Sequence, residues 1–305
     1  MTNIRRALEA AAAGGGDKLY VEDLFATNLY IGNDTTNIVT NGIDLDGEGG
    51  MVWQKRINSS KPPSWMDSGQ GTTGGYYWST KTINDSVQNS ATGAISTFNS
   101  NGYTMGRAGD GNNDAEFHVS YTFRKAPGFF DVQTYTGNGS NQTISHNLGS
   151  TPGFVIVKAV STTGNWSCWH NSIGDSNYIL LNSTAAIGAS GATRTVNSTT
   201  YQIFGTWADE GADTVDYVMY LFASDDQSFG ADGDESIINC GTYLGPGGSV
   251  TNVALGWEPQ WVLIKNTERA DNWTLLDNMR GWSGPEISGG TQYDPLLSMN
   301  LSAGE

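Results

Sequence analysis

From residue 29 onward the chain is a succession of short apolar or alternating runs separated by polar turns. Residues 51–56 (MVWQKR), 154–160 (FVIVKAV) and 261–265 (WVLIK) have strand length, as do 118–123 (HVSYTF) and 216–222 (DYVMYLF). Clusters of Gly, Asn and Ser such as GNGSN (137–141) and NSNGY (99–103) punctuate them. Many short strands with turns between them predict antiparallel sandwiches. The pattern is helical over residues 4–13 (IRRALEAAAA), where alanines favour helix, Asn3 can cap it and Gly14–Gly16 end it. Ten residues is too short to persist alone. Ile4, Leu8 and Ala11 fall on one side, so that face is expected to need a partner. Arg5 and Arg6 stand at the helix start, where the macrodipole disfavours cations. Two readings stay open there: acidic groups supplied by another protein, or solvation of both side chains.

The runs recur at fixed offsets. Tyr30, Tyr135 and Tyr243 are each followed two residues later by a glycine (Gly32, Gly137, Gly245), and Lys55, Lys158 and Lys265 close the three stretches. Ten residues before each lysine stand Leu45, Leu148 and Leu255; twelve after stand Asp67, His170 and Asp277; sixteen after stand Gly71, Gly174 and Gly281. Gly106 with Gly205, and Phe123 with Phe222, extend the match between the first two copies. A period near 105 is too long for a solenoid unit and has the size of a small domain, so each copy is expected to own a core. The expected fold is all-β: tandem antiparallel β-sandwich repeats of about 105 residues behind a short N-terminal helical arm. The domains are an arm over 1–27, repeats over 28–131 and 132–240, and the start of a third, incomplete repeat over 241–305. Pro127–Gly128 and residues 225–236 are the expected linkers. The third copy has 63 residues from Tyr243 onward, and the expectation is that the molecule continues past residue 305.

Composition narrows the function classes. Charged residues are 15% of the 305, below the roughly 25% of ordinary domains, while Gly, at 40, is well above average. With 10 Trp, 13 Tyr and 10 Phe the chain has apolar bulk enough to fold. A formal net charge of −16 provides no basic footprint for nucleic acid and no attraction to anionic membranes. No apolar run reaches the roughly 18 residues of a membrane span, so membrane insertion is not expected. The apolar part of residues 4–13 is too weak for a signal peptide. Cys168 and Cys240 stand at non-matching positions and read as small buried hydrophobes.

Candidate chemistry is sparse. Asp67, His170 and Asp277 share one position with different side chains, and no nucleophile or second carboxylate recurs with them. They read as turn or sheet-edge hydrogen-bonding groups, and no catalytic residue, enzyme activity or cofactor is expected. Trp166 with Trp169, and Trp273 with Trp282, are either core or platforms for sugar rings, with Trp169 and Trp282 the candidate glycan-binding residues. Asp232, Asp234 and Glu235 are oxygen ligands suited to Ca²⁺ but lack the spacing of an EF-hand loop. A solvated linker is the competing reading, and no metal site is assigned. His118 and His146 match no ligand pattern.

Residues 3–25 (NIRRALEAAAAGGGDKLYVEDLF) resemble the start of tail-fibre-like virion proteins of tailed phages infecting marine bacteria. SYTFRKAPGFFDVQTYTGNG (120–139), SHNLGSTPGFVIVK (145–158) and YLFASDDQSFGADGDESIINCGTYLG (220–245) are similar to domains strung along those appendages. The resemblance spans nearly all of 3–282 and carries over no catalytic residues. It implies a virion location on a tail appendage, a homotrimer or other symmetric assembly, and attachment to a host-surface glycan or protein. The arm would dock to phage tail proteins through Ile4, Arg5, Arg6 and Leu8. The alternatives are a capsid decoration protein and a polysaccharide-degrading tailspike.

Overall fold

The structure, a computed structural model, describes residues 18–73, 75–77, 79–81, 94–107, 109–245, 247, 251–281 and 296–302. The helix expected over residues 4–13 lies outside them, together with Ile4, Arg5, Arg6 and Leu8. What is described is nearly all β, in antiparallel sheets, with a single-turn helix α1 (Val21–Leu24). The first segment holds β1 (Phe25–Ile31), β2 (Asn37–Thr40), β3 (Gly50–Arg56), β4 (Ser64–Asp67), β5 (Thr72–Thr73), β6 (Tyr76–Tyr77), β7 (Ser79–Lys81), β8 (Ile95–Asn99), β9 (Gly102–Met105) and β10 (Phe117–Arg124). The second holds β11 (Phe130–Thr136), β12 (Gln142–Ser145), β13 (Phe154–Ala159), β14 (Trp166–His170), β15 (Asn177–Leu180), β16 (Gly188–Ala189), β17 (Thr200–Ile203) and β18 (Asp216–Phe222). The third holds β19 (Trp261–Ile264), β20 (Thr274–Asp277) and β21 (Leu297–Ser298).

Each segment contributes one large sheet. The orders are β1-β10-β3-β4-β7, β11-β18-β13-β14-β15-β16 and β19-β20-β21. Registers agree between the first two: Phe25 faces Phe123 as Phe130 faces Phe222, and Trp53 faces Tyr121 as Ile156 faces Tyr220. The next strand also agrees in all three, with Trp53 opposite Trp65, Ile156 opposite Cys168 and Leu263 opposite Leu275. Smaller sheets, β2-β9-β8 and β12-β17, accompany the first and second.

Alternation along β3 and β4 sends side chains to two different interiors. Val52 and Met66 meet Val39, Phe98 and Tyr103 in a cluster between the five-stranded sheet and β2-β9-β8. Trp53 and Trp65, on the opposite face, enter a larger cluster that also contains Phe130, Ile156, Trp166 and Tyr220 of the second segment and Trp273 and Leu275 of the third. Every residue of β3 is therefore buried, as expected when a sheet is covered on both faces. Ring contacts carry the larger core across the segments: Trp65 lies 5.1 Å from Trp166 and 5.2 Å from Tyr220, Trp53 lies 6.0 Å from Trp261, and Phe154 lies 6.2 Å from Trp273. Such pairs add about 0.5–1.5 kcal/mol each beyond the area they bury.

These contacts correct three expectations. The copies do not each own a separate core, because the faces of three sheets close on one another. The boundary at residue 28 falls inside β1, with Leu24 and Phe25 already in the shared core; that at 131/132 falls inside β11. The expected linkers are anchored as well: Ala126, Phe129 and Phe229 are buried, and Gly230 donates its N–H to the Leu19 carbonyl.

Candidate functional site

The repeated position twelve residues past each lysine ends the second strand of each pair. Asp67 faces Met51, His170 faces Phe154 and Asp277 faces Trp261. Each closes the following turn by accepting backbone N–H groups. Asp67 Oδ1 takes those of Gly69 and Gln70 at 2.9 and 3.0 Å; Asp277 Oδ1 takes those of Met279 and Arg280 at 3.1 and 2.9 Å; His170 Nδ1 takes that of Ser172 at 3.1 Å. The glycines four residues further on, Gly71, Gly174 and Gly281, all have left-handed φ of 70–110°, which a residue without Cβ adopts freely.

The second carboxylate oxygen reaches into another segment. Tyr220 donates its hydroxyl to Asp67 Oδ2 at 2.8 Å, joining the second segment to the first. Tyr121 donates to Asp277 Oδ2 at 2.7 Å, joining the first to the third. Asp277 also pairs with Arg280 Nε at 2.6 Å. All four aspartate and tyrosine residues are closed to solvent. Burial raises the Asp67 pKa despite the hydrogen bonds that oppose it, and raises both phenols well above their ordinary value. Chemically, this arrangement offers no path for a substrate. The two phenols find these partners only when the segments are docked, while each carboxylate oxygen is also held within its own segment, Asp67 Oδ2 by the Gln70 amide and Asp277 Oδ2 by Arg280.

The repeated lysines make a second set of links. Lys158 and Lys265 donate to the carbonyl six residues on, Gly164 at 2.8 Å and Asp271 at 2.9 Å, and Lys55 does the same to Lys61. Lys55 reaches Ser302 of the third segment at 2.8 Å, and Lys265 reaches Thr184 of the second at 3.0 Å. Ser302 and Thr184 occupy matching places, each two residues after an asparagine (Asn300, Asn182) that accepts the N–H of Trp273 or Trp166. Burial, with the neighbouring Arg56 charge, lowers Lys55 to about 8.

Inside the second segment Arg194 and Glu210 form a closed ion pair at 3.2 Å, shared with the hydroxyls of Tyr201 and Ser167. No sequence signal marked it, since the two residues lie in irregular stretches without a repeated offset. The tyrosines did carry a signal: Tyr121 and Tyr220 both stand two residues before the aligned Phe123 and Phe222.

The third segment differs at its edge. In the first two sheets β3 and β13 are covered by β10 and β18, but among the described residues no strand pairs with the corresponding edge of β19. Trp261, Val262, Leu263 and Ile264 are all only half-buried, whereas β13 is buried throughout. Nearby in sequence, Leu244 is 84% exposed and Tyr243 and Val253 are each 49% exposed.

The remaining candidate residues are dispersed. Trp169 is buried against Tyr201, with ring centroids 6.0 Å apart, so it offers no face to a sugar. The glycan reading of that residue is corrected: its alternating position points it between the two layers. Trp282 lies outside the described residues. Asp232, Asp234 and Glu235 are exposed, and the described residues contain no group of three or more acidic, His or Cys side chains placed to hold an ion. Cys168 and Cys240 are free thiols, the first buried. No helix among the described residues is long and apolar enough to cross a membrane.

No curated protein and no solved structure matches the chain. A family model does, over residues 21–289, which covers the first two segments and reaches through β20 of the third; its description is a domain of unknown function, DUF7483. With most of its length inside that match, the chain belongs to the DUF7483 family.

Proposed function

We propose that this protein is a non-catalytic structural component of a phage virion, a tail-fibre element whose N-terminal arm docks to tail proteins and whose β body faces the host surface. Within that reading the three segments are copies of one unit arranged about a pseudo-threefold axis. The observation that carries it is a set of hydrogen bonds between segments that all run the same way round, the tyrosine–carboxylate ones buried. Tyrosine to carboxylate runs from the second segment to the first and from the first to the third, and lysine to carbonyl runs from the first to the third and from the third to the second. A symmetric homotrimer would obtain such a set from three chains, and here one chain supplies two of the three contacts of each kind. Polar groups that an enzyme would direct at a substrate are spent between segments, which supports a scaffold rather than a hydrolase.

A capsid decoration protein is the second reading, favoured by the same geometry, since a pseudo-threefold body fits a threefold position as one copy. Deleting residues 1–17 tests the docking arm without touching Leu24 or Phe25 of the core. The shortened chain is expected to keep its thermal transition and to be missing from purified particles. Incorporation at normal copy number overturns the docking role. Gold-labelled chain on the capsid rather than the tail decides for decoration.

A further inference from the structure

The first two segments hold the turn leading into β10 or β18 by different chemistry. Tyr30 donates its hydroxyl to the Gly111 carbonyl at 2.8 Å, and its aligned counterpart Tyr135 donates to that of Glu210 at 2.7 Å. A second ring lies nearly flat on each: His118 on Tyr30, with 9° between the planes, and Tyr217 on Tyr135, with 13°. There the likeness ends. The Tyr217 hydroxyl donates to the Ala208 carbonyl at 2.7 Å and accepts the Ala212 N–H at 2.9 Å, so a phenol, neutral at ordinary pH, closes that turn. His118 Nδ1 instead meets Gln54 Oε1 at 3.2 Å, an oxygen that can only accept, so Nδ1 carries the ring's proton. Nε2 is left as a lone pair, buried and without a partner among the described residues. Opposite His118 on β3 stands Arg56, where the second segment sets Ala159 opposite Tyr217. The hold on the turn passes to that guanidinium, which reaches the Asp110 carbonyl at 3.4 Å and the Glu116 carboxylate at 3.5 Å.

We propose that His118 and Arg56 form an acid-released latch: a solvent proton taken up at His118 Nε2 sets an imidazolium beside the buried guanidinium, and Arg56 lets go of the turn over residues 109–116. The new N–H would have no acceptor, and two like charges closed off from water repel strongly. The charged and titratable groups around the ring are Tyr30 from β1, Arg56 from β3, and Asp110 and Glu116 from the turn. Tyr103 of β9 lies next to Tyr30, its own hydroxyl on Ser120, and Lys61 pairs with Asp110 at 3.2 Å. Burial first and the Arg56 charge second hold the ring's pKa at about 4 against an ordinary 6.5, with Asp110 opposing them. The opened turn therefore takes up the proton more readily than the closed one. Closure is at full strength above about 6.5 and is lost as pH falls toward 4. Packing asks only for a flat ring at this place, as Tyr217 shows, and does not account for a histidine beside an arginine. The latch depends on neither the virion reading nor the threefold one.

Amide exchange on the 305-residue chain between about pH 7 and about pH 5, corrected for intrinsic rates, tests the latch. Opening of residues 109–116 is expected to rise at least about tenfold over that range, while residues 208–215, held by tyrosines, change less than about twofold. His146 and His170 belong to the second segment, and each accepts a backbone N–H at Nδ1, from Leu148 and Ser172, so a reading local to 109–116 keeps their titration apart. His118→Tyr, which copies the second segment, is expected to flatten the response at 109–116 to less than about twofold. In the wild-type chain the His118 ring, followed through its carbon-bound proton resonances, is expected to stay neutral down to about pH 5. A flat exchange response in the wild type overturns the proposal, as does an undiminished one in His118→Tyr. Should that variant fail to fold, the wild-type ring decides. Titration near its ordinary value in the folded chain overturns the latch, because a proton accepted without cost releases nothing.

Discussion

A methyl group added at Gly137 would sit 2.2 Å from the Ala212 carbonyl oxygen, inside any real carbon–oxygen contact. Gly137→Ala is therefore expected to destabilise the protein by about 1–3 kcal/mol through forced backbone movement. Gly245→Ala, at the aligned position where none of the described residues comes within 4 Å of an added Cβ, should change stability by less than about 0.5 kcal/mol. Urea midpoints of the two variants check the contrast, and equal effects would show that the third segment is crowded like the second. His118 shows the same dependence of residue on surroundings. It is buried, stacked on Tyr30 at 4.9 Å, and burial with the Arg56 charge lowers its pKa to about 4. Its aligned partner Tyr217 stacks on Tyr135 at 5.1 Å, so the flat ring at this place matters more than its chemistry.

At the level of elements, the ends of β4 and β20 are tied to the middles of β18 and β10 by the Asp67–Tyr220 and Asp277–Tyr121 bonds. Removing one hydroxyl leaves a buried carboxylate short of a donor, so Tyr220→Phe should cost about 1–3 kcal/mol. Asp67→Asn retains an acceptor oxygen and should cost less than Asp67→Ala. A double-mutant cycle between positions 67 and 220 is expected to return a coupling of at least about 0.5 kcal/mol, while 67 against 121 should be additive. A zero coupling at 67/220 would remove the bond from the account of how the segments hold together.

For the molecule as a whole, the shared core makes the segments interdependent. Residues 18–127 expressed alone would uncover Trp53, Trp65, Tyr121 and Phe123, which the second and third segments bury. That fragment is expected to aggregate or to lack a sharp transition, whereas the full chain should unfold in one step with calorimetric and van't Hoff enthalpies equal. A cooperative, monomeric fragment would restore the picture of independent beads.

Much of the fold was legible locally. The strands at 51–56, 118–123, 154–160, 216–222 and 261–265 follow from runs and alternation, because a period of two is written in neighbouring residues. The left-handed turns at Gly71, Gly174 and Gly281 follow from a repeated glycine, and the role of Asp67, His170 and Asp277 in those turns from their offset. Which interior each face entered was not legible. Val52 and Trp53 are equally apolar, and only the docking of three sheets sends one into a private cluster and the other into a common one. The partners of Asp67 and Asp277 lie 153 and 156 residues away, beyond any local pattern. The sequence by itself determined where strands form and which positions repeat; tertiary structure decided that the repeats share a core, because burial and buried hydrogen bonds are settled between surfaces and not along a chain.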